Sequence, residues 1–473
     1  MVLWRMFVDG MLAFSALVWG DFMLYFLGLG ALFITFKVGF LQFTHFGYVW
    51  DQTLGRLFVR KKDTADGAVG TITPFQALST ALANTIGSGN IVGVGLAIYW
   101  GGPGAVFWMW AVACLGMATK MAEIVLGLKY RVKTPEGLYV GGPQYYLSLG
   151  LKRFKMQWLG PLYGVMLVLC LGIIEMIQIN SVTASVNEAF GIPVHVVGIT
   201  IGIFVSIVVF GGIKRIGQFA ELAVPFMAVL YIATALVIVL LNLSHIPGAF
   251  VMIFKHAFTP VAAVGGFAGS VVANTIRWGV ARGVFSNEAG DGATAIAHAT
   301  ATTDHPVRQG LYGIMEVFVD TIVVCTATAL VVLVTGVWTD PAVKEVPERL
   351  LTIAFGSALG SVGGWIVAVS LTLFAMTSML AYVYFGEAQG TYFGGKNCGL
   401  FVRVMFLLAI FTGTFWPAKE LWPFSDVFFA MMIIPNMIGL FLLNGEYSAL
   451  VKEFFNTPGL YYMKDMEDKK SKG

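Results

Sequence analysis

The amino-acid sequence predicts an all-α integral membrane protein with about eleven transmembrane helices, and three observations carry that expectation. Hydrophobic residues make up 58% of the 473-residue chain and charged residues 12%, where a soluble chain has about 45–50% and about 25%. With a mean hydropathy of +0.80, the chain lacks the charge that a water-facing surface needs, so lipid must cover it. Apolar runs of membrane-crossing length recur from end to end, and Lys and Arg gather in alternate loops between them.

A helix needs about 20 mostly apolar residues to cross the hydrocarbon core. By that measure the candidate spans fall at roughly 20–42, 71–99, 104–128, 158–190, 193–211, 216–243, 260–290, 307–336, 352–385, 399–416 and 424–445. Ahead of the first, an apolar run from Met11 to Trp19 follows the single Arg5. It reads as a short interfacial helix, because no small-residue cleavage site comes after it. Several spans exceed the minimum length, which implies tilt, kinks or extension into water. The polar connections near residues 43–70 and 129–157 are loop-sized.

The basic loops set an orientation. Arg56, Arg60, Lys61 and Lys62 follow the first span; Lys129, Arg131, Lys133, Lys152, Arg153 and Lys155 follow the third; Lys214 and Arg215 follow the fifth. The tail adds Lys452, Lys464, Lys469, Lys470 and Lys472. With eleven spans and the N-terminus outside, all of these share the cytoplasmic side, against only Arg5, Lys255, Lys344, Arg349 and Lys419 opposite. A net charge of +3 without a basic, aromatic-rich run gives no reason to expect nucleic acid as a partner. Cys114, Cys170, Cys325 and Cys398 form no CxxC pair and read as packing residues. With 56 Gly and 38 Phe, the composition suits helices packed closely at glycines with rings filling the gaps.

The second span, STALANTIGSGNIVGVG, carries the densest chemistry. Asn84, Thr85, Ser88 and Asn90 bring polar groups to mid-bilayer, while Gly87, Gly89, Gly93 and Gly95 lower helix propensity there. Unsatisfied backbone groups cost several kcal/mol each in hydrocarbon, so a broken helix survives only beside a cavity or buried in protein. A small-residue packing face would need the glycines but not four polar side chains. The pattern points to a broken helix: amides at Ser88 and Gly89 face an anion, and carbonyls freed at Ala83 and Ile86 suit a hard cation. Ala83-Asn84-Thr85-Ile86 recurs as Ala273-Asn274-Thr275-Ile276 in the seventh span. Five spans apart, the copies run in opposite directions, as an inverted repeat requires.

The string NTIGSGN closely resembles the broken first core helix of LeuT-type sodium symporters. GGPGAVFWMWAVACLGMATKMAE, GGPQYYL, GVARGVFSNEAG and TDHPVRQGLYGIMEVFVDTIVVCTATAL resemble the alanine or glycine:cation symporter family, over about residues 18 to 450. The resemblance implies one extra N-terminal helix and ten core helices in a five-plus-five inverted repeat of LeuT type. Residues 1–45 would then hold the interfacial segment and extra helix, about 46–445 the core (repeats about 70–243 and 259–445) and 446–473 a cytoplasmic tail. It further implies that Ser88 and Gly89 bind a substrate carboxylate and that Gln178 faces the substrate. A hydroxyl pair, Thr377 and Ser378, would form a sodium site with the carbonyls of Ala83, Ile86 and Phe374. The same two residues would read, without the resemblance, as ordinary hydroxyls bonding one turn back.

In the seventh span the repeat places the break at Asn274, Thr275 and Trp278. A competing placement puts it near Gly265, Gly266 and Gly269, with Arg277 and Arg282 nearer the cytoplasm and Glu288 and Asp291 at the cytoplasmic end, available to pair with them. Glu123, Glu175, Glu316 and Asp320 read equally as cation or proton relays and as satisfied structural carboxylates. Lys120 with Glu123 reads as an interhelical or surface pair near the inner face. Ser88 stands where the family usually has Thr and Tyr382 where it has Trp, the latter widening or rewetting the pocket wall.

The function expected is sodium-coupled uptake of alanine or glycine across the cell membrane by alternating access, with a monomer sufficing, no other cofactor and no enzymatic activity. Proton coupling and a passive channel are the alternatives. A membrane enzyme is disfavoured by the absence of HExxH, GxSxG and any Cys/His cluster.

Overall fold

The computed structural model describes residues 10–12, 14, 15, 17–55, 68–263, 267–345, 347–416, 418–457 and 460. The basic loop Arg56–Lys62, the glycines Gly265 and Gly266 and the lysines of the tail beyond Lys452 lie outside them.

The chain is almost wholly helical. In order it forms α1 (Asp21–Lys37), α2 (Pro74–Thr85), α3 (Val94–Gly101), α4 (Ala105–Lys129), α5 (Leu159–Phe190), α6 (Val194–Val209) and α7 (Gly212–Leu241). There follow α8 (Val272–Asn287), α9 (Pro306–Thr335, with a π-helical middle from Phe318 to Cys325), α10 (Leu350–Leu359), α11 (Ser361–Gly413), α12 (Ala418–Leu442) and α13 (Asn444–Asn456). The only sheet among the described residues is a two-stranded antiparallel pair, Val132–Lys133 with Tyr139–Val140.

Several helix ends follow from local chemistry. Thr73 caps α2: its hydroxyl accepts from the Gln76 amide at 3.1 Å, the Gln76 side chain accepts from the Thr73 amide at 3.2 Å, and Pro74 opens the helix. Gln76 then donates to Glu221 on α7 at 2.9 Å, tying the two helices together. Inside α11, Gly394 and Gly395 leave helical geometry, Gly395 with φ +71°, so two helices meet there at a kink.

Among the described residues, six helices are long and apolar enough to cross a bilayer: α4, α5, α7, α9, α11 and the Glu420–Leu442 part of α12. A seventh is added if α2 and Gly89–Gly101, bent by 52°, are one span, while α1 and α6 are shorter apolar helices. The difference from the eleven expected has a physical source. A hydropathy window measures composition, and breaks shorten the helix within an apolar run. In the segment near residues 260–290 the described helix is Val272–Asn287, the segment near 352–385 is divided between α10 and α11 at Gly360, and the run near 399–416 follows the kink of α11 at Gly394–Gly395.

The exterior is apolar where a water-soluble protein's is polar, and polar groups are buried within the apolar core. Ile199, Ile203 and Ile207 on α6 and Leu222, Phe226, Val229 and Leu240 on α7 are exposed at helical spacing, whereas Asn84, Asn90, Lys120, Glu123, Glu175 and Asp320 are buried. Apolar outer faces, with polar groups kept inside, are what a bilayer requires. Inside, α5 lies against α11 and α12, α4 against α8 and α9, and α2 against α7 and α11. The α4–α8 approach depends on small residues. A Cβ at Gly279 would stand 2.5 Å from the Ala105 carbonyl, and one at Gly283 2.6 Å from the Val112 side chain.

Candidate functional site

The break after α2 is made by its own residues. The Gly87 N–H donates to Asn90 Oδ1 at 2.9 Å, not to the Ala83 carbonyl four residues back, and Ile86 is extended (φ −78°, ψ 93°). The helix stops at Thr85 and resumes as a π turn, Gly89–Gly93, that runs into α3. Asn90 is itself anchored, donating to Asp320 Oδ1 at 2.7 Å and to Ser286 Oγ at 3.1 Å. Asp320 also accepts from Ser286 and Thr321 at 2.8 and 2.7 Å, so α9 and α8 hold the break open.

A second break faces the first. α8 ends at Asn287 and Glu288 adopts φ +54°; Gly290 and Gly292, at φ +108° and +80°, keep the chain irregular until the short helix Ala295–His298. The NEAGDG string is the signal, since its two glycines take backbone conformations that other residues seldom adopt. This break is not at Asn274–Thr275. Asn274 is exposed and Thr275 sits in the first turn of α8, its hydroxyl donating to the Gly101 carbonyl at 2.7 Å. Trp278 stacks on Trp100. Of the upstream alternative, Gly265 and Gly266 lie outside the described residues, and Gly269 has φ +87° ahead of α8. The ANTI repeat misled because a tetrapeptide records local composition, whereas a break needs residues that abandon helical dihedrals.

Both breaks line one small cavity, with a volume of about 20 Å³ open to water-sized molecules. Asn84, Ser88, Gly89, Gln178, Glu288 and Tyr382 supply its polar wall, and Phe285, Trp422 and Phe429 an aromatic one. Ser88, Gly89, Gln178 and Tyr382 are thus brought together; Asn274, Thr275 and Trp278 do not join them. Glu288, Phe285, Trp422 and Phe429 were not foreseen. Glu288 accepts from Asn84 Nδ2 and lines the cavity, not a cytoplasmic end where it would meet Arg277 or Arg282. The amide oxygens of Gln178 and Asn84 are buried without partners, two acceptors ready for a donor such as an ammonium.

The hydroxyl pair lies next door. Thr377 Oγ1 and Ser378 Oγ both donate to the Phe374 carbonyl, at 2.8 and 3.0 Å, and Ser378 Oγ stands 3.5 Å from the Asn84 carbonyl. The backward hydrogen bonds leave each hydroxyl able to accept, because one that has given its proton keeps two lone pairs. Ala83, Ile86 and Phe374 are all buried. Gly87 joins the two places: a Cβ there would meet Gln178 Nε2 and Ser378 Oγ, each at 3.1 Å.

Lys120 is not a surface residue. It is fully buried, with Glu123, Asp291 and Glu316 at 3.9, 3.9 and 3.7 Å, and it donates to the Glu288 carbonyl at 2.8 Å and to Thr294 at 3.1 Å. It therefore pins both ends of the second break. Of the four carboxylates left open by sequence, Glu123 accepts from Asn436 and the Gly290 amide, Glu316 lies 3.1 Å from His298, and Asp320 is fully engaged. Glu175 is buried with neither oxygen hydrogen-bonded.

Two broken helices flanking a buried polar cavity, inside a bundle with an apolar exterior, define a multi-pass membrane transporter. The sequence pattern of the sodium:alanine symporter family matches residues 5–467, and the chain belongs to that family, whose members are transporters and not enzymes. It is 42% identical over 445 residues to the sodium/alanine symporter AgcS of Methanococcus maripaludis, covering 93% of this chain and 95% of the relative. It is 44% identical over 455 residues to the Bacillus subtilis transporter YflA, covering 96% and 95%. The probable sodium/glutamine symporter GlnT of Bacillus subtilis is 34% identical over 440 residues, covering 93% and 88%. Among solved structures, a manganese transporter of Eremococcus coleocola superposes with a TM-score of 0.54 at 12% identity, covering 87% of this chain and 95% of that one. That likeness concerns fold alone.

Proposed function

We propose that the chain couples sodium entry to uptake of a small neutral amino acid, alanine or glycine, by alternating access. The observation that carries the reading is at Gly87, where Gln178 on the substrate cavity and Ser378 of the hydroxyl pair close on the same glycine of the break. A cation and a zwitterion bound on either side of three residues would each stabilise the geometry that the other needs, which is a coupling free energy. The substrate carboxylate would lie at Ser88 and Gly89, among the first amides of a half-helix, which have no partner within it. The ammonium would lie among Gln178 Oε1, Asn84 Oδ1 and Glu288. Sodium would take the hydroxyls of Thr377 and Ser378 with the carbonyls of Ala83, Ile86 and Phe374; the Asn84 carbonyl, near Ser378, joins that set.

The two breaks, at Ile86–Ser88 and Glu288–Thr294, would be the equivalent points of a five-plus-five inverted repeat spanning about 70–243 and 259–445, in an eleven-span chain with its N-terminus outside and the segment after residue 445 in the cytoplasm. One charge crossing 100 mV contributes about 2.3 kcal/mol, and a tenfold sodium gradient adds about 1.4 kcal/mol. Together they would concentrate a neutral amino acid several hundredfold.

The test is uptake into proteoliposomes with an inward sodium gradient. Alanine and glycine are expected to accumulate and to compete with each other, and leucine and aromatic amino acids are not. Uptake should collapse when sodium is replaced by choline. Accumulation driven equally by a proton gradient without sodium would remove the sodium assignment, and glutamine outcompeting alanine would remove the substrate class. For the cation site, Ser378→Ala should weaken apparent sodium affinity by about 1–3 kcal/mol, the loss of one or two ligand bonds. Normal uptake with unchanged sodium dependence would exclude Ser378 from the site.

A further inference from the structure

α8 carries two arginines, and the described residues around them offer one carboxylate. Arg277 and Arg282 both line a cavity beside Phe285, in which Asp426 is the only acidic residue among those described. Arg282 takes it: the guanidinium interacts electrostatically with Asp426 and lies over the Trp278 and Phe285 rings at 5.2 and 5.6 Å. Arg277 is left over. It is exposed, and it enters no ion pair among the described residues.

Arg277 also heads a shallow groove between α8 and α1. Val280 and Val284 follow it on α8 at helical spacing, and Trp19, Met23 and Leu27 form the facing wall. The two helices run the same way, since Leu27 reaches Gly290, beyond the end of α8, while Trp19 stays at the Arg277 level. Trp19 Nε1 donates to the Asp426 carbonyl at 2.8 Å, which fixes the indole where an interfacial tryptophan belongs. The groove thus has a cation and an indole at one end and only aliphatic side chains below them.

A charge on a membrane helix is costly unless it meets a partner, and on the outer face of the bundle that partner comes from the bilayer. A guanidinium fork matches a phosphate in geometry and charge. Two arginines against one carboxylate leave this end of α8 with an excess positive charge, which favours a headgroup of net negative charge over a zwitterionic one. We propose that the α1–α8 groove binds one anionic phospholipid, with Arg277 on the phosphate and an acyl chain along Val280, Val284, Met23 and Leu27. The lipid clamps α1 to the helix that runs into the second break, and under the orientation proposed above it belongs to the outer leaflet.

The experiment titrates the full-length, delipidated transporter in detergent with phosphatidylglycerol and counts bound lipid by native mass spectrometry. One phosphatidylglycerol per chain should be retained at concentrations where phosphatidylcholine is not. Arg277→Gln should weaken that binding about tenfold, the loss expected for one charge-assisted contact. Arg277→Lys should keep part of it, because an ammonium meets phosphate without the bidentate fork. Leu24→Trp, which fills the groove and leaves the guanidinium in place, should weaken it as well. Melting temperatures without added lipid should match wild type; if Arg277→Gln melts early, the Lys and Trp variants decide. Equal binding of phosphatidylglycerol to wild type and to the variants would overturn the site, and equal binding of phosphatidylcholine would overturn the anionic assignment. Displacement of the lipid by millimolar glycerol phosphate, which has no acyl chain, would mean a site for free phosphate and overturn the lipid.

Discussion

Gly87→Val is expected to reduce uptake by about a hundredfold, the loss that follows when catalytic or binding groups are displaced by about 1 Å. Its Cβ would stand 3.1 Å from both Gln178 Nε2 and Ser378 Oγ, so α5 and α11 must each give way on opposite sides of the break. Because one residue touches both proposed sites, the substitution should raise the half-saturating concentrations of amino acid and sodium together. Kinetics in proteoliposomes at varied sodium and alanine would measure both. A variant altered in only one of the two would show that Gly87 is a spacer for one helix, not the joint between the sites. Gly87→Ala should fall between wild type and Val, since its single methyl asks each neighbour to move by a few tenths of an ångström.

Lys120→Met should cost about 3–5 kcal/mol, the usual consequence of leaving buried charges without their partner. Glu123 and Asp291 would lose their only cation among the ion pairs of the described residues, Glu316 would keep only His298, and the Glu288 carbonyl and Thr294 would lose a donor. A large fall in the melting temperature of the detergent-solubilised protein is the readout, because these residues fasten the second break to α4. Replacing Glu316 by Gln in the same chain should recover part of the loss by removing one of the stranded charges. An unchanged melting temperature for Lys120→Met would mean that the network is not structural, and attention would shift to charge movement during transport.

Much of the site was legible because its signals are local. Glycines and polar side chains crowded into one apolar span predict a break wherever they sit, and the break after Thr85 falls among them. Gln178, Tyr382, Thr377 and Ser378 came from the family resemblance. The hydrogen bonds from both hydroxyls to Phe374 are what either reading of that pair would give. The second break was misplaced because a repeated tetrapeptide was weighed above the Gly290 and Gly292 that unwind the chain. Trp422 and Phe429 had no signal at all: apolar residues on a membrane helix are expected on every face, and only packing selects those that turn inward.

By itself the sequence determined the solvent. A chain this apolar folds stably only with lipid around it, and polar groups then have nowhere to go but the interior. The sequence also determined where the second span gives up helical geometry, since propensity is a property of the residues in the run. Only the tertiary structure decided which polar groups meet. The contact of Asn84 with Glu288 joins residues 204 apart, and that of Lys120 with Thr294 residues 174 apart. Such pairings depend on helix rotation and crossing, set by close approaches such as Gly279 on Ala105, and a buried charge's partner is fixed by that packing, not by its neighbours in the chain.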